Sequence, residues 1–437
     1  MHPEIRKALY EESPGPGQSV VRAQSYVGAG MRRVESRFIQ RESDHSDDNT
    51  RRFSEDNGRT WSDWEGFQSS LYRMQGADEL ATSNTVPAFS RSHNRVHDHL
   101  VGVYQHTIFV SGHREAFRVF WREGRAGFVN HAFLHVSDDD GRTWGAPQLV
   151  KFEDGADFDD RDLRRPGFLR NNRAQASGNS EIEVQENGDI LFPLCADVTS
   201  CCRALGLDVQ EVFPSCPQIM RGLIVMRGIW DPHAARYTLI PSRPVVLNDL
   251  KSSREVNEPA LHSLKSGRVI CVIRGSNTIS TAWTTRIEPG TPGYKWFTFS
   301  EDGGATWADL VPWHYDTGDV FYSSSSIHRF HRSGRNGRLY WFGNISGPAV
   351  DGNHPRYPLV MGEVDEVTGS LIKDSCTVID DREPEQDHEE LQLSNFRILE
   401  DRRTGTMELY MTRLGAFLPD DPWRSHAYRY RIEVPAE

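Results

Sequence analysis

Short apolar runs separated by polar turns that contain glycine recur along the chain. In four places an apolar run is followed by a polar turn with Gly and by a second apolar run, at residues 182–192, 261–273, 328–342 and 396–411. Paired runs of this length around a Gly turn predict antiparallel β-hairpins. The chain is therefore expected to be almost entirely β-strand, with little helix.

A second repeated element is the octapeptide Ser-x-Asp-x-Gly-x-Thr-Trp, which occurs three times. The copies run from Ser54 to Trp61, from Ser137 to Trp144 and from Ser300 to Trp307. Ser and Asp can accept backbone N–H groups within a turn, Gly allows a φ that other residues avoid, and Trp anchors the return strand. Because their residue types are explained by the turn, Asp56, Asp139 and Asp302 are excluded as catalytic residues.

Each hairpin, taken with the strand and turn that follow it, defines a larger unit. Six such units result, at residues 34–64, 103–150, 182–240, 260–312, 327–373 and 395–435. Four antiparallel strands per unit, repeated radially, predict a six-bladed β-propeller, with seven blades as the alternative. Residues 1–18 are predicted to be an N-terminal extension, and residues 19–437 a single propeller. The alternating segment 426–434 predicts an outer or closing strand.

Composition narrows the functional classes. The formal net charge of −12 argues against nucleic acid as a partner, because no dominant basic surface would release phosphate counterions. No stretch approaches the roughly 20 apolar residues that span a bilayer, and the N-terminus lacks an apolar signal core. We therefore expect no membrane partner and a cytoplasmic protein, or a secreted one if a signal has been removed.

Cysteine usage gives no sign of a metal or a disulfide framework. The chain has six cysteines, including the adjacent Cys201 and Cys202, and no pair with CxxC spacing. This pattern predicts free, mostly buried thiols and no zinc site. No cofactor is expected, and the sequence does not indicate an oligomeric state.

The repeated turns resemble the Asp boxes, or BNR repeats, of the sialidase superfamily of β-propellers, and the resemblance covers essentially the whole chain. The stretch from Asn257 to Arg274 is similar to the sialidase segment in which a catalytic glutamate starts one strand and an arginine ends the next. The resemblance implies that Glu258 orients or activates the nucleophile and that Arg274 binds the substrate carboxylate. Two antiparallel strands joined by a Gly turn bring Glu258 and Arg274 to the same rim.

The resemblance also places a second arginine and shows two departures. Arg356 stands where the family has another carboxylate-binding arginine, and a planar guanidinium suits that role. The family's N-terminal Phe-Arg-Ile-Pro motif is missing, and so is the tyrosine nucleophile expected shortly before the last hairpin. Tyr322 is a replacement candidate, although it precedes Arg356. These departures argue against the family's covalent route to sialoside hydrolysis.

Histidines offer another source of proton transfer. His93, His97 and His99 lie in one polar loop just before a predicted strand. A loop of this kind projects onto a rim, where imidazole can act as a general acid or base near neutral pH. His93 and His97 are the catalytic candidates, and His388 is a candidate for substrate binding. For each of them a purely hydrogen-bonding role is the alternative.

Arginines are concentrated in one long loop of this acidic protein, and they form a candidate anion-binding edge for a uronic acid or sulfated sugar. A solvated charged loop is the alternative. The arginines are Arg161, Arg164, Arg165, Arg170 and Arg173. Further long polar stretches are predicted to build a pocket on one rim, at 65–100, 151–180, 241–257, 275–293 and 374–394.

These features lead to one main functional hypothesis. The protein is expected to remove the terminal sugar of an acidic oligosaccharide or polysaccharide that contains uronic or sialic acid. Glu258 would act as acid/base or orienting carboxylate, with Arg274, Arg356 and Arg173 binding the acidic sugar. The alternatives are a lyase or rhamnose-releasing enzyme that uses a His base on a uronate-linked sugar, and a propeller that binds glycans without catalysis.

Overall fold

The structure, a computed structural model, describes most of the chain. The described residues are 2–42, 45–66, 71–74, 80–83, 90–109, 119–120, 123–159, 161–162, 165–176, 182–254, 256–280 and 282–436. Within them, no helix is long and apolar enough to cross a membrane. All six cysteines are free thiols and five are buried, as predicted.

Strands dominate the described residues. The first strands in chain order are β1 (Glu4–Glu11), β2 (Ser19–Tyr26), β3 (Arg33–Glu42), β4 (His45–Ser54), β5 (Glu65–Gly66), β6 (Leu71–Met74), β7 (Leu80–Ser83), β8 (Ser90–Asn94), β9 (His99–Phe109), β10 (Val129–Ser137), β11 (Gln148–Leu149), β12 (Ala174–Ala176) and β13 (Glu183–Val184). The remaining strands are β14 (Ile190–Asp197), β15 (Arg221–Asp231), β16 (Arg236–Pro241), β17 (Asn257–Ser263), β18 (Val269–Arg274), β19 (Lys295–Ser300), β20 (Val311–Pro312), β21 (Arg329–Arg332), β22 (Leu339–Asn344), β23 (Leu359–Glu363), β24 (Thr377–Asp380), β25 (Phe396–Glu400), β26 (Met407–Thr412) and β27 (Ala427–Glu433). The helices are α1 (Pro166–Arg170), α2 (Val198–Leu205), α3 (Val209–Val212) and a 3-10 turn at Lys373–Ser375.

The strands form six antiparallel sheets, and the fold is a six-bladed β-propeller. Sheet 1 has the order β2-β3-β4-β5, sheet 2 the order β6-β7-β9-β10-β11 with β8 also beside β9, and sheet 3 the order β12-β14-β15-β16 with β13 also beside β14. Sheets 4 and 5 follow chain order as β17 to β20 and β21 to β24, and sheet 6 has the order β25-β26-β27-β1. The prediction of six blades is confirmed, and the seven-bladed alternative is wrong.

The chain divides into two compact units with three sheets each. The first unit comprises Met1–Gln68, Pro292–Tyr294 and Trp313–Glu437, and it contains sheets 1, 5 and 6. The second unit comprises Ser69–Thr291 and Lys295–Pro312, and it contains sheets 2, 3 and 4.

The four hairpins predicted from the hydrophobic pattern are present. They are β13-β14, β17-β18, β21-β22 and β25-β26. Gly188 and Gly267 in the first two turns each have a φ of 85°, which residues with a Cβ rarely adopt. Glycine in these turns therefore lets the second strand of each hairpin return beside the first.

The three octapeptide turns have the same internal hydrogen bonds. In the first copy the Ser54 hydroxyl accepts the Gly58 N–H at 2.7 Å, and Asp56 accepts the Thr60 N–H at 2.8 Å and the Thr60 hydroxyl at 2.7 Å. Equivalent bonds occur in the other two copies. These Thr hydrogen bonds lower the pKa of Asp56, Asp139 and Asp302 to about 2. Their carboxylates are fully engaged within the turns.

The N-terminal segment contributes a strand to the last blade. β1 pairs with β27 along its length, so Ala427–Glu433 is the third strand of sheet 6 and β1 is the outer one. Tyr10 on β1 donates a hydrogen bond to Glu35 on β3, whose side chain is fully buried. Arg22 and Arg52 each lie 2.6 Å from a Glu35 oxygen. A buried charge cluster thus joins β1 to sheet 1.

Candidate functional site

Sheet 4 brings Glu258 and Arg274 together. Asn257 at the start of β17 pairs with Arg274 at the end of β18, so both side chains emerge at one edge of the sheet. The Arg274 Nη1 atom lies 2.6 Å from Glu258 Oε2, and the two side chains are 12% and 24% exposed. The predicted proximity of these residues is confirmed, and their roles in catalysis stay a prediction.

The backbone at Glu258 is in an unusual conformation. Its φ is 45°, in the left-handed region that costs a residue with a side chain about 1–2 kcal/mol, and Pro259 follows it. The pairing with β18 shifts between Asn257 and Ala260, which marks a β-bulge. The Asn257 side-chain oxygen accepts the Glu258 N–H at 2.9 Å. Strain held in this way is concentrated at functional sites, and bulges there redirect a side chain.

Sheet 3 supplies a second acid and arginine beside the first pair. β14 ends at Asp197, whose carboxylate is ion-paired with Arg173. The Cys195 Sγ atom, two residues before Asp197, lies 3.7 Å from Asn257 Oδ1, so this edge of sheet 3 adjoins that of sheet 4. We call Arg173, Asp197, Glu258 and Arg274 the carboxylate-arginine edge. Arg173, predicted from its arginine-rich loop, therefore lies in the same neighbourhood as Glu258.

Asp197 was not identified from the sequence. Its side chain is 2% exposed and also accepts the Thr199 N–H at 2.8 Å, which caps the N-terminus of α2. The available signal was an Asp followed by Val-Thr-Ser directly after a long apolar run, a pattern typical of a helix start. Asp197 is thus suited to hold Arg173 in position and not to exchange protons with a ligand.

Two predicted loops meet at the end of sheet 4 that carries Arg274. The Ser253 N–H donates to the Ser276 carbonyl at 2.9 Å, which joins segment 241–257 to segment 275–293. Arg286 in the second segment pairs with Asp249 in the first at 2.6 Å. Trp283 packs on the buried apolar cluster of α2, α3 and the chain after them. These loops and helices form a wall beside the carboxylate-arginine edge.

The histidine loop lies at the other end of the second unit's sheets. His97 packs against Gly188, two residues before β14, and the Asn94 side chain donates to the Gly188 carbonyl at 2.8 Å. Cys195, which contacts Asn257, is seven residues further along that strand, or about 23 Å at about 3.3 Å per residue. The structure therefore does not bring His93 or His97 together with Glu258.

Each histidine of this loop contacts neighbouring side chains. His99 Nε2 is 2.7 Å from the Tyr237 hydroxyl, its ring lies against Trp230, and burial lowers its pKa to about 4. His93 lies 3.4 Å from Asp98, and the His97 ring is stacked on that of His99. These contacts favour the hydrogen-bonding alternative stated above.

Replacing His97 by Gln is expected to change kcat/KM by less than about twofold, because the His97 ring is far from Glu258. The measurement is the rate on the best acidic glycan, with the thermal unfolding midpoint recorded for the same preparation. If kcat/KM fell by about 100-fold or more while the unfolding midpoint stayed unchanged, His97 would be a catalytic residue.

In the first unit, the segments of Arg356 and Tyr322 are connected through Ser346. The Arg356 guanidinium donates to the Ser325 carbonyl at 2.9 Å and to the Gln392 side-chain oxygen at 2.8 Å. Tyr322 is three residues before Ser325, and its carbonyl accepts the Ser346 N–H at 2.9 Å. The Ser346 hydroxyl in turn donates to the two carbonyls that flank Arg356, at 3.2 Å each. Arg356 is therefore rigidly placed by neutral oxygen atoms.

Tyr322 and His388 are the other candidate site residues in the first unit. Tyr322 stacks on Tyr294 with 5.9 Å between ring centroids, and burial together with Tyr322 raises the pKa of Tyr294. His388 is half-buried in a loop four residues before Gln392, and its Nδ1 atom accepts the Glu390 N–H at 3.2 Å. Tyr322 is thus linked to the Arg356 segment through Ser346, and His388 is on the segment whose Gln392 holds Arg356.

The remaining loop arginines do not share one environment. Arg165 lies 3.9 Å from Asp159, and Arg170 ends α1 on the surface. Arg164 lies outside the described residues. The aromatic ring of Phe168, between them, is stacked on the buried His131, whose pKa burial lowers to about 4.

No protein-family model matches the chain, and no curated protein matches it. Solved structures match over almost all of its length. A Dyadobacter fermentans protein of unknown function is 12% identical with a TM-score of 0.52, and the match covers 99% of both chains. A variant of the NanB sialidase from Streptococcus pneumoniae is 10% identical with a TM-score of 0.55, over 98% of this chain and 70% of that one.

A third match is the intramolecular trans-sialidase from Ruminococcus gnavus, in complex with oseltamivir carboxylate. It is 10% identical with a TM-score of 0.51, over 98% of this chain and 97% of that one. The fold is sialidase-like. This confirms the fold that the repeated turns and the Asn257 to Arg274 stretch implied, and at such identities the similarity shows the fold alone.

Proposed function

We propose that this protein is a glycoside-cleaving enzyme that removes the terminal sugar of an acidic glycan, one that contains uronic or sialic acid. The carboxylate-arginine edge is its proposed reaction centre. The observation that carries the proposal is Glu258, a half-buried carboxylate on a strained, bulged backbone and in contact with Arg274. Backbone strain of this kind is concentrated at functional sites, and a catalytic group must be held in a fixed position.

The chemistry follows from the residue types. Glycoside cleavage requires a group that transfers a proton to or from the glycosidic oxygen or the attacking nucleophile, and carboxylates do this in most glycosidases. Glu258 is assigned that role. The Arg274 guanidinium is assigned to hold Glu258 with one edge and to pair with the sugar carboxylate with another, since its planar fork carries five donors. Asp197 fixes Arg173 beside them, and the remaining N–H groups of this guanidinium can donate to sugar oxygen atoms.

Arg356 and Tyr322 are proposed as substrate-binding residues of the first unit. The guanidinium of Arg356 is fixed by neutral oxygen atoms, so its orientation is set before any ligand arrives. The Tyr322 hydroxyl, on a segment joined to that of Arg356 through Ser346, can donate to or accept from a sugar hydroxyl. His388 is assigned a supporting role on the loop that carries Gln392.

Two further facts support a glycan as the substrate class. A sialidase and a trans-sialidase share this fold over nearly the whole chain, and the trans-sialidase is in complex with a carboxylate ligand. The lyase alternative receives less support. The histidines proposed as its base lie beside Gly188, and seven residues of chain, about 23 Å, separate Gly188 from Cys195 at the Glu258 end of the sheets.

The test is a screen of the full-length protein on acidic oligosaccharides. Sialyl-oligosaccharides, glucuronide-capped and rhamnosyl-glucuronate substrates are incubated separately, and released sugars are separated and identified. The proposal predicts release of one terminal sugar together with a new reducing end. An unsaturated uronate, detected by its ultraviolet absorbance, would instead indicate elimination, and no release from any acidic glycan would reject the enzyme.

A further inference from the structure

A separate pocket lies in the first unit, at the end of sheet 6 where β26 stops and β27 starts. Its volume is about 250 Å³. It is lined by Lys7 of β1, by the loop residues Glu383, Gln386 and Asp387, and by Arg413, Ala416, Phe417, His426 and Tyr428. None of these residues belongs to the carboxylate-arginine edge.

The charged groups around the pocket carry no excess of positive charge. Arg413, 7% exposed, pairs with Asp380 and lies 2.6 Å from Asp387. The Lys7 ammonium group lies 3.0 Å from Asp380. With Glu383, which also lines the pocket, two cations face three carboxylates, so the charged groups of the wall carry no net positive charge. An anionic ligand would therefore meet no net positive charge at this wall.

The pocket also presents hydrogen-bonding groups of both kinds. His426 Nδ1 accepts the Ser13 N–H at 2.8 Å, so the neutral ring carries its proton on Nε2. Nε2–H is then a donor, the Gln386 amide is both donor and acceptor, and the Tyr428 hydroxyl can be either. Sugar hydroxyl groups likewise both donate and accept, so a polyhydroxylated ligand matches this mixed surface better than a purely accepting one.

Aromatic rings provide the apolar part of the wall. The rings of Phe417 and His426 meet edge to face, with 5.0 Å between centroids, and Tyr428 is half-buried beside them. Aromatic side chains offer large apolar faces at low conformational cost. The C–H face of a pyranose ring can pack on such a surface while its hydroxyls reach the polar groups.

We infer that this pocket binds one neutral sugar residue. Its volume is below the range of about 300–1,000 Å³ that is usual for larger ligands, which limits it to a single ring. Gln392 links it to the proposed substrate-binding residues, because its side chain bonds Arg356 and its backbone pairs with Leu414, next to Arg413. Resting on the proposed function, the pocket is a subsite for a neutral sugar of the same glycan that Arg356 is proposed to bind.

The experiment measures binding without turnover on the full-length protein. Methyl glycosides of galactose, glucose and mannose are titrated while saturation-transfer NMR signals are recorded, with N-acetylneuraminate and glucuronate as anionic comparators. At least one neutral glycoside is expected to bind, and Gln386→Ala to weaken that binding by about fivefold or more, from loss of one hydrogen bond. Glu385→Ala, on the same loop but not in the pocket wall, is the matched control and is expected to leave it unchanged.

Three results would overturn the inference: no neutral glycoside binds, only the anionic sugars bind, or binding is the same in wild type, Gln386→Ala and Tyr428→Phe. Because these measurements need no catalysis, the two proposals fail separately. Binding that depends on Gln386 in a protein that cleaves no acidic glycan would keep the pocket and reject the proposed function. Cleavage without such binding would do the reverse.

Discussion

Replacing Glu258 by Gln is expected to lower kcat/KM on the acidic glycan by about 100- to 10,000-fold, the usual contribution of a general acid or base. Gln has the same shape and can still accept a hydrogen bond from Arg274, but it cannot take up or release the proton. The fold should be little affected, because Glu258 is partly exposed and lies at the end of β17. Steady-state kinetics and thermal unfolding of the same preparations provide the measurement.

Glu301→Gln is the matched control for this change. Glu301 is also in the second unit and near an arginine, 3.7 Å from Arg268, but its side chain is 73% exposed and follows the octapeptide Ser300. Its rate is expected to equal that of the wild type. If Glu258→Gln retained full activity and lost much stability, Glu258 would be a structural residue and the proposed reaction centre would be wrong.

The largest stability effect is expected from Glu35→Ala. Glu35 is fully buried and bonded to Arg22, Arg52 and Tyr10, so its removal leaves the buried Arg22 with less compensation. Loss of one partner from a buried ion pair costs about 3–5 kcal/mol of unfolding free energy. Urea unfolding monitored by tryptophan fluorescence measures this. Glu55→Ala, which removes a 68% exposed partner of Arg32, is expected to cost less than about 1 kcal/mol.

The effect of Glu35 should depend on pH. Burial opposes its ionisation, but the charge of Arg22 and the hydrogen bonds from Tyr10, Arg22 and Gln24 outweigh burial and lower its pKa. A carboxylate with a depressed folded-state pKa stabilises the protein above its unfolded pKa of about 4.3, and that stabilisation is lost as the pH falls through the folded value. The stability difference between wild type and Glu35→Ala should therefore shrink on acidification. A difference that stays constant from pH 7 to pH 3 would show that packing, and not charge, explains it.

The fold could be predicted from the sequence because each pattern that indicates it spans only a few residues. Each hairpin needs only two apolar runs and a glycine such as Gly188 or Gly267, and each octapeptide turn satisfies its own hydrogen bonds. The pair of Glu258 and Arg274 was predictable for the same reason, since one hairpin fixes both residues. The place of β1 in sheet 6 could not be predicted in this way. Its partner β27 is more than 400 residues away in the chain, and no short sequence pattern indicates the pairing.

Residues of the candidate site could be predicted to lie together only where a single hairpin contains them. Asp197 and Arg173 meet through the return of β14 beside β12, and neither the ion pair nor the capping of α2 appears in a local motif. The histidines illustrate the opposite error. His93 and His97 have the residue type for proton transfer, but the rim on which a loop lies depends on the direction of its strands, and here that direction places them beside Gly188.

The most direct test of the proposed function compares an acidic glycan with its carboxyl-reduced, neutral counterpart, using the wild type and Arg274→Gln. If Arg274 binds the sugar carboxylate at the reaction centre, reduction should lower kcat/KM of the wild type by about 100-fold. In Arg274→Gln, which has already lost that contact, reduction should change kcat/KM by less than about threefold. An equal loss in both proteins would contradict the account, because the carboxylate would then be recognised somewhere other than at Arg274.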